Sequence, residues 1–395
     1  MSSNAKKLKI AHVITRMIVG GAQENTLLSI RGQLEHGNEV VLITGPSPGR
    51  EGELLKQVEL PKFEIILCPQ LVRELSPFRD LAALFKLRRL FRKRRFDVVH
   101  THSSKAGIIA RLAAAWAGVP VVVHTVHGQA FHPHEKAWRN RLYITLERLA
   151  ARCCQRIYAV AQAMIEQCVS AKVAPREKYM VVYSGMDTEK FRSAVRDAAL
   201  RESLGIPAQA RVIAVLARLF PLKGYEYVLP AAAKVVEAAP DTHFLVIGDG
   251  PMYDELQQRL AELGLSEHFH FAGLISPDRV ADHLVQADLL WHLSLREGLP
   301  RAVVQALATG IPAIGFDLDG TPEVVLSGQT GFVVPAGDVS AVAERTLEFW
   351  RNDELRHSCG ENGRRLVCEK FAWRRMADIL EADYRRLLAM RDRKS

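Results

Sequence analysis

A chain of 395 residues with 48% hydrophobic content is long enough to bury two cores of ordinary domain size. No apolar run reaches the roughly 20 residues that a membrane-spanning helix needs, and the first ten residues lack the apolar core of a signal peptide. These features exclude a polytopic membrane protein and predict a soluble protein of two domains.

The cysteines and the distribution of charge indicate the compartment and the possible partners of the protein. The six cysteines show neither zinc-ligand spacing nor the density of a disulfide framework, which is typical of a cytoplasmic protein. Residues 1–190 carry 29 Lys+Arg against 16 Asp+Glu, a balance of +13, and the remaining residues carry 24 against 28, a balance of −4; the two sum to +9. The basic first half leaves contact with an anionic membrane surface open.

Much of the positive charge lies in one predicted helix, which has seven Lys or Arg residues between positions 86 and 95. Two interpretations are open. The helix can be a solvated element with its apolar stripe in the core, or a basic amphipathic helix that lies on anionic lipid. Nucleic acid is not the expected partner, because the chain has no recognised binding module and no interleaved aromatic platform.

The N-terminal half alternates short β-branched runs with helical patterns, which predicts a doubly wound parallel sheet. The strand candidates are residues 10–14, 40–44, 64–67, 98–101, 121–125, 157–160 and 180–183. After the first of them come Gly20 and Gly21, then a helix. Adjacent glycines form either a plain turn or a loop whose N–H groups approach a ligand closely.

Six histidines lie between residues 100 and 134, which raises the question of a metal site. His100 and His102 end one predicted strand, and no carboxylate or cysteine set completes an evident metal-ligand motif. Histidines at strand ends are more often hydrogen-bonded polar residues than metal ligands. His127 follows the next strand.

Gly205 and Pro207 support a change of domain within residues 185–208, and the second half repeats the alternation. Its strand candidates are residues 212–217, 244–247, 268–271, 289–293, 313–316 and 332–334. Arg218 and Lys223 follow the first of these. Two cations at a strand end can bind both phosphates of a diphosphate, the guanidinium through its fork and the ammonium as a point charge.

Residues 291–316 form the most informative stretch, because a strand, a polar loop, a helix and a second strand follow one another closely. Pro300 opens the helix, so the N–H groups of Gly298 and Leu299 lie where a phosphate binds well. Glu297 lies in the loop, and Gln305 lies about two turns into the helix. In isolation the pair could be a helix-start carboxylate and a solvated amide.

The string from Glu297 to Pro312 resembles the signature of the retaining nucleotide-sugar glycosyltransferases of glycosyltransferase family 4. That signature is Glu, seven residues, Glu, then Ala, a small pair, Gly, any residue and Pro. Here Gln305 occupies the place of the second Glu. The resemblance implies the GT-B fold, an α/β architecture of two Rossmann-like doubly wound parallel-sheet domains facing a central cleft.

By this resemblance, residues 1–190 form the acceptor-side domain and residues 191–370 the nucleotide-sugar domain, with a helix at 371–395 that returns to the first. His127, Glu297, Arg218 and Lys223 take catalytic roles. The implied donor contacts are Gly20, Gly21, Arg218, Lys223, Leu274, Ile275, Glu297, Gly298, Leu299 and Gln305. The sequence Asp317-Leu318-Asp319 is assigned to loop structure rather than to a metal motif.

The activity implied is transfer of a hexose-type sugar from a nucleoside diphosphate, with a UDP-sugar expected, to an acceptor hydroxyl with retained configuration. No metal or other cofactor is expected to be required. The expected acceptor is a glycan or a lipid-linked glycan, in surface polysaccharide or glycolipid synthesis. A nucleotide-sugar epimerase with the same fold and a non-catalytic sugar-nucleotide binding protein are the alternatives.

Overall fold

A computed structural model of the protein describes residues 6–47, 54–57 and 61–393. The chain forms two compact units, each built around one parallel sheet. Unit 1 comprises the described residues of Met1–Gly185 and Trp373–Ser395, and unit 2 comprises Met186–Ala372. The sequence divisions had been drawn at 190/191 and 370/371.

Unit 1 has a seven-stranded sheet in the order β3-β2-β1-β4-β5-β6-β7, and all its paired neighbours are parallel. The strands are β1 Lys9–Ile14, β2 Glu39–Thr44, β3 Glu64–Leu67, β4 Val98–His102, β5 Val121–Val126, β6 Arg156–Ala159 and β7 Tyr179–Val181. The helices are α1 Gly21–Glu35, α2 Leu54–Gln57, α3 Pro77–Arg94, α4 Ser104–Ala117, α5 Ala137–Ala151 and α6 Gln162–Ser170. Each predicted strand is present, with ends that differ by no more than two residues.

Unit 2 has a six-stranded parallel sheet in the order β10-β9-β8-β11-β12-β13. The strands are β8 Arg211–Leu216, β9 Thr242–Ile247, β10 Phe269–Gly273, β11 Leu289–His292, β12 Ala313–Phe316 and β13 Gly331–Val334. The helices are α7 Thr188–Arg192, α8 Ala198–Ser203, α9 Tyr225–Ala238, α10 Tyr253–Glu262, α11 Val280–Leu284, α12 Arg301–Ala308, α13 Val339–Arg351 and α14 Asp353–Lys370. The predicted doubly wound parallel architecture is confirmed for both units.

The strands are nearly continuous apolar runs because helices cover both faces of each sheet. In unit 2, Val215 of β8, Trp291 of β11 and Phe316 of β12 share one buried cluster with Val228 of α9. The Trp291 indole N–H donates to Thr346 Oγ1 at 3.0 Å, so this large ring is buried without an unsatisfied polar atom. The central strands are therefore fixed rigidly beneath the loops that follow them.

The last helix, α15 Trp373–Asp392, belongs to unit 1 although it follows unit 2 in sequence. Met376, Leu380, Tyr384 and Leu387 of α15 pack in one buried cluster with residues of β1, β4 and β5. The α1 and α15 backbones approach closely at Gly32, where an added Cβ would lie 2.2 Å from the Ala377 Cβ. Small residues at this crossing permit the approach.

Two further features of the structure concern membrane-spanning helices and cysteine pairing. Among the helices that the structure describes, none combines the length and the hydrophobicity needed to cross a bilayer. All six cysteines are free thiols.

The α1–α15 crossing yields a stability test. Ala377→Leu is expected to lower the free energy of unfolding by about 1–3 kcal/mol, because the added carbons must displace α1. Ala382→Leu, on the exposed side of the same helix, is the matched control and is expected to change it by less than about 0.5 kcal/mol. Urea titration followed by circular dichroism measures both; equal midpoints for the two variants would contradict the crossing.

Candidate active site

The strand order of unit 2 reverses between β8 and β11, which are paired neighbours. In a doubly wound sheet, ligands bind outside the carboxyl ends of the strands at such a reversal. The segment after β8 carries Arg218 and Lys223, and the segment after β11 carries Glu297. The topology therefore places the loops of these three predicted residues side by side.

The two loops are bonded to each other through backbone and side chains. The Leu295 N–H donates to the Leu222 carbonyl at 2.9 Å, and the Ser294 hydroxyl donates to the same carbonyl at 3.1 Å. Gly224 has φ +83°, and a Cβ there would lie 1.9 Å from the Leu293 carbonyl oxygen. Only glycine fits this position, which lets the first loop lie directly against the second.

Lys223 and Glu297 form the central contact of the site. Lys223 Nζ donates to Glu297 Oε1 at 2.5 Å, and the two side chains are 23% and 22% exposed. Burial raises the pKa of Glu297, but the charge and hydrogen bond of the Lys223 ammonium outweigh burial and leave that pKa below its ordinary value. Glu297 is therefore an anion that can only accept hydrogen bonds.

Asp319 holds the Glu297 backbone in place. The Glu297 N–H donates to Asp319 Oδ2 at 2.7 Å, and Asp319 has φ +51° in the turn after β12. A non-glycine residue in this conformation is held by its surroundings at some energetic cost. The carboxylate of Asp319 thus has a positioning contact, consistent with the assignment of residues 317–319 to loop structure.

His292 is a functional candidate that the sequence analysis missed. It ends β11, is 6% exposed, and its Nε2 lies 4.0 Å from Glu297 Oε1. Burial lowers the pKa of His292 to about 4, opposed by Glu297 and reinforced by Lys223, so the ring is neutral. Within the part of the chain that the structure describes, Nε2 has no hydrogen-bond partner. A histidine within an otherwise apolar strand was the available signal.

The remaining predicted residues of unit 2 occupy different positions around the same sheet edge. Gly298 and Leu299 are buried just before α12, whose first residue follows Pro300, and Gln305 is half-buried on that helix. The Arg218 guanidinium lies 4.8 Å from the Phe220 ring centroid. Leu274 is exposed, and Ile275 is half-buried, after the edge strand β10. The structure joins Lys223 to Glu297 directly and places Leu274 and Ile275 two strands from β8.

In unit 1, the predicted glycines and His127 follow strands at the carboxyl edge of the other sheet. Gly20 lies immediately before α1 with φ 173°, an extended conformation open to any residue, and Gly21 is the first residue of the helix. His127 follows β5 and is half-buried, and its Nε2 lies 3.0 Å from Nδ1 of His102. His127 is thus linked to the strand histidines rather than standing alone.

A small pocket of about 40 Å³, partly open to solvent, lies within unit 1 next to His127. Its wall includes Glu147, Cys168 and Tyr179. Glu147 pairs with the fully buried Arg111 at 2.6 Å. The Tyr179 hydroxyl is buried and has no partner among the described residues. The pocket therefore combines an apolar wall with polar groups that a hydroxylated ligand could use.

His12, His100 and His102 form a buried cluster whose ligand atoms lie within 4.8 Å of one another. Each ring nitrogen in this cluster already has a protein partner: Gln33 and His102 for His12, Tyr384 and Thr125 for His100, and His12 and His127 for His102. Burial lowers the pKa of all three rings, that of His12 to about 4. The cluster is a network of neutral hydrogen-bonded imidazoles.

Comparison with known proteins identifies the family and the fold. Residues 20–185 match the family described as glycosyl transferase 4-like domain, and residues 197–366 match the family described as glycosyl transferases group 1. The solved structure of Anabaena Alr3699/HepE in complex with UDP-glucose has a TM-score of 0.80 at 22% identity, and the match covers 95% of this chain and 99% of that one. This likeness shows the fold, which is that of the GT-B enzymes.

Two relatives match over nearly their whole length. The UDP-Gal:alpha-D-GlcNAc-diphosphoundecaprenol alpha-1,3-galactosyltransferase of Escherichia coli is 30% identical, covering 94% of this chain and 95% of the relative. The N-acetyl-alpha-D-glucosaminyl L-malate synthase of Bacillus anthracis is 26% identical, covering 96% and 97%. The chain belongs to the family-4-like glycosyltransferases with the GT-B fold, as its signature indicates, and it is a nucleotide-sugar-dependent enzyme.

The buried histidines predict a stability that falls in mild acid. The folded-state pKa of His12 and of His292 is about 4, below the ordinary value of about 6.5 expected when unfolded. Between these two pKa values the unfolded chain binds more protons than the folded chain. The free energy of unfolding is therefore highest above the unfolded pKa and declines as the pH falls below it. Lowering the pH from about 7.5 to 5 should reduce the free energy of unfolding by about 2 kcal/mol for each of these two histidines.

Urea titrations at the two pH values measure this effect. His292→Leu is expected to shrink the difference between them, whereas His357→Gln, which alters an exposed histidine, should leave it unchanged. A wild-type unfolding midpoint that is the same at both pH values would contradict the prediction.

Proposed function

We propose that the enzyme transfers a hexose-type sugar from a nucleoside diphosphate to a hydroxyl of a glycan or lipid-linked acceptor, with the anomeric configuration retained. A UDP-sugar is the proposed donor, and polysaccharide or glycolipid synthesis is the proposed setting. The observation that carries the proposal is the Lys223–Glu297 pair at 2.5 Å, located where the strand order of unit 2 reverses. The name of the Escherichia coli relative, which specifies UDP-galactose and a diphosphoundecaprenol-linked sugar, supports it.

The charges of the site suit a departing diphosphate. Arg218 and Lys223 contribute +1 each, Glu297 and Asp319 contribute −1 each, and the neutral His292 adds nothing, so the site is balanced before a diphosphate binds. When the glycosidic bond breaks, negative charge grows on the leaving phosphate, and preorganised cations and N–H groups stabilise it. The N–H groups of Gly298 and Leu299 precede α12, close to the positive end of its dipole, whereas Pro300 has no N–H to offer. No metal ion is invoked.

Lys223 has three N–H donors, so it can keep one on Glu297 and direct the others to phosphate oxygens. Glu297, an anion, then accepts hydrogen bonds from sugar hydroxyls and orients the anomeric carbon. Gln305 is proposed to contact the donor through one acceptor oxygen and one NH₂ donor. Gly20, Gly21, Leu274 and Ile275 are the further proposed donor contacts. The departing phosphate is proposed to accept the proton of the acceptor hydroxyl.

On the acceptor side, we propose that His127 contacts the sugar or the acceptor and that the neighbouring pocket receives part of the acceptor. The pocket's buried Tyr179 hydroxyl and Glu147 carboxylate are groups that hydroxyl-rich ligands bind. An epimerase would need no second substrate. Formation of a glycosylated product only when an acceptor is supplied therefore separates the proposed transferase from that alternative and from a non-catalytic binding protein.

Lys223→Ala tests the donor site. Loss of the ammonium is expected to lower kcat by roughly 10²- to 10³-fold, the scale of one lost transition-state donor. Nucleotide release is measured with UDP-galactose, UDP-glucose, UDP-N-acetylglucosamine and GDP-mannose, and proton NMR of the product gives its anomeric configuration. Lys234→Ala, on the exposed face of α9, is the matched control. Unchanged turnover in Lys223→Ala with an accepted donor would refute the site.

We also propose that unit 1 binds an anionic membrane surface, as a peripheral protein on the cytoplasmic side. In α3, Phe78, Leu81 and Phe85 are 90%, 53% and 49% exposed. Exposed cations lie among and beyond them, at Lys86, Arg89, Arg92 and Lys93. The neighbouring α4 adds Trp116, whose ring lies 5.5 Å from Phe85 and 4.0 Å from the Arg88 guanidinium. Exposed apolar and basic side chains on adjoining helices match an anionic lipid headgroup layer.

Liposome sedimentation with and without phosphatidylglycerol tests this proposal. The protein is expected to bind the anionic vesicles, and Arg89→Ala with Lys93→Ala should weaken binding roughly 30-fold, at about 1 kcal/mol per cation. Phe78→Ser should also weaken it, while Leu263→Ser, an exposed apolar residue of unit 2, should not. Equal binding to neutral vesicles, or binding insensitive to salt, would contradict an electrostatic membrane contact.

A further inference from the structure

A chain of hydrogen bonds leads from His127 into the interior of unit 1. His127 Nε2 lies 3.0 Å from His102 Nδ1, and His102 Nε2 lies 2.8 Å from His12 Nδ1. His12 Nε2 lies 2.7 Å from Gln33 Oε1, and Gln33 Nε2 donates to the Tyr384 hydroxyl at 3.1 Å. His102, His12, Gln33 and Tyr384 are all 0% exposed. Water therefore does not compete for the bonds among these four residues.

The buried rings in this chain are neutral. Burial lowers the pKa of His12 to about 4, and burial with the neighbouring histidines lowers that of His102 well below its ordinary value. A neutral imidazole has one N–H donor and one acceptor nitrogen. If a ring donates a hydrogen bond at one nitrogen, it must therefore accept one at the other.

The orientation of the Gln33 amide sets that direction. Its Oε1 can only accept, so His12 carries its proton on Nε2 and accepts through Nδ1. His102 must then donate from Nε2 to His12 and accept at Nδ1. The proton in the contact between His102 and His127 therefore belongs to Nε2 of His127.

We propose that Gln33 and Tyr384 are positioning residues that fix His127 in the Nε2–H tautomer, with the lone pair on Nδ1. Resting on the proposed function, this makes His127 a hydrogen-bond acceptor toward a hydroxyl of the sugar or acceptor. The ring's own bond to His102 also fixes its plane. Neither positioning residue needs to touch a substrate.

Tyr384 accepts a hydrogen bond from the amide in this orientation. Its hydroxyl lies 2.5 Å from His100 Nδ1, and His100 Nε2 lies 2.6 Å from Thr125 Oγ1. With its proton directed to His100, the Tyr384 oxygen accepts the Gln33 N–H. Turning the amide over would reverse every proton from Thr125 to His127, so His127 would become a donor at Nδ1. All the hydrogen bonds from Thr125 to His127 therefore point in one direction or all in the other, depending on the orientation of the Gln33 amide.

A metal ion is the competing interpretation of the same cluster. His12 Nδ1 and His102 Nε2 would both need free lone pairs to bind a metal, whereas their 2.8 Å contact requires a proton between them. The two interpretations exclude each other. Stoichiometric zinc retained by the purified full-length chain, lost with His12→Gln, would overturn the proposal.

Nitrogen NMR reads the tautomers directly. The full chain is labelled with ¹⁵N-histidine, and long-range ¹H–¹⁵N correlations are assigned with His12→Gln, His102→Gln and His127→Gln, each of which removes its own signal. Nε2–H forms of His12, His102 and His127 at neutral pH are the expected result. Nδ1–H forms of His12 and His102 would mean the opposite polarity and would overturn the proposal.

Tyr384→Phe removes only the hydroxyl that orients Gln33, and Gln33→Met removes the amide. Both are expected to introduce a second His127 tautomer and to lower kcat by about tenfold, with the KM for the donor unchanged. Asn25→Leu, which removes another buried amide of α1 bonded to Ser184 and Gly185, should leave the His127 signals intact.

Wild-type His127 signals in folded Tyr384→Phe and Gln33→Met would overturn the proposal. Unchanged turnover in His127→Ala would instead refute the role of His127 under the proposed function. The NMR result for the chain of histidines is independent of that outcome.

Discussion

The pairing of β8 with β11 is the constraint on which the donor site of unit 2 depends. After β8 the chain continues toward one edge of the sheet, and after β11 it continues toward the other. The helices that follow the two strands are therefore separated, and the loops at the carboxyl ends of β8 and β11 face each other. Lys223 and Glu297 come from loops of these two strands and are 74 residues apart in sequence. Gly224 has no Cβ, which lets the Leu293 carbonyl lie directly against it and brings the two loops together.

Much of this organisation could be predicted from the sequence. The strands are short β-branched or apolar runs bounded by turn residues, and buried parallel strands have that composition for a physical reason, since both faces are covered. Pro300 and Gly310 mark the limits of α12 closely, because each has a backbone preference that does not depend on tertiary contacts. Local chemistry was sufficient for the fold and for the loops in which Lys223 and Glu297 lie.

The partners of buried polar residues could not be predicted in the same way. His12 and Gln33 are 21 residues apart, whereas Gln33 and Tyr384 are 351 apart. The hydrophobic periodicity of the sequence does not show which amide contacts which imidazole, because these contacts depend on how α1 and α15 pack against the sheet of unit 1. Asp319 was missed as a contact of Glu297 for the same reason, since it comes from the turn after the next strand. His292 lies only five residues before Glu297, but its burial and its direction depend on the packing of β11 within the sheet.

The return of α15 to unit 1 has a consequence for biosynthesis. Unit 2 is one continuous segment, but unit 1 consists of two segments that enclose it in sequence. On the ribosome, the first sheet emerges early and must wait through the synthesis of nearly two hundred residues before the helix that covers its apolar face exists. During that interval Ile10, Val98 and Val121 lack their native cover. The later unit is thus the first that can finish folding, and the nascent first unit is the one that a chaperone would need to protect.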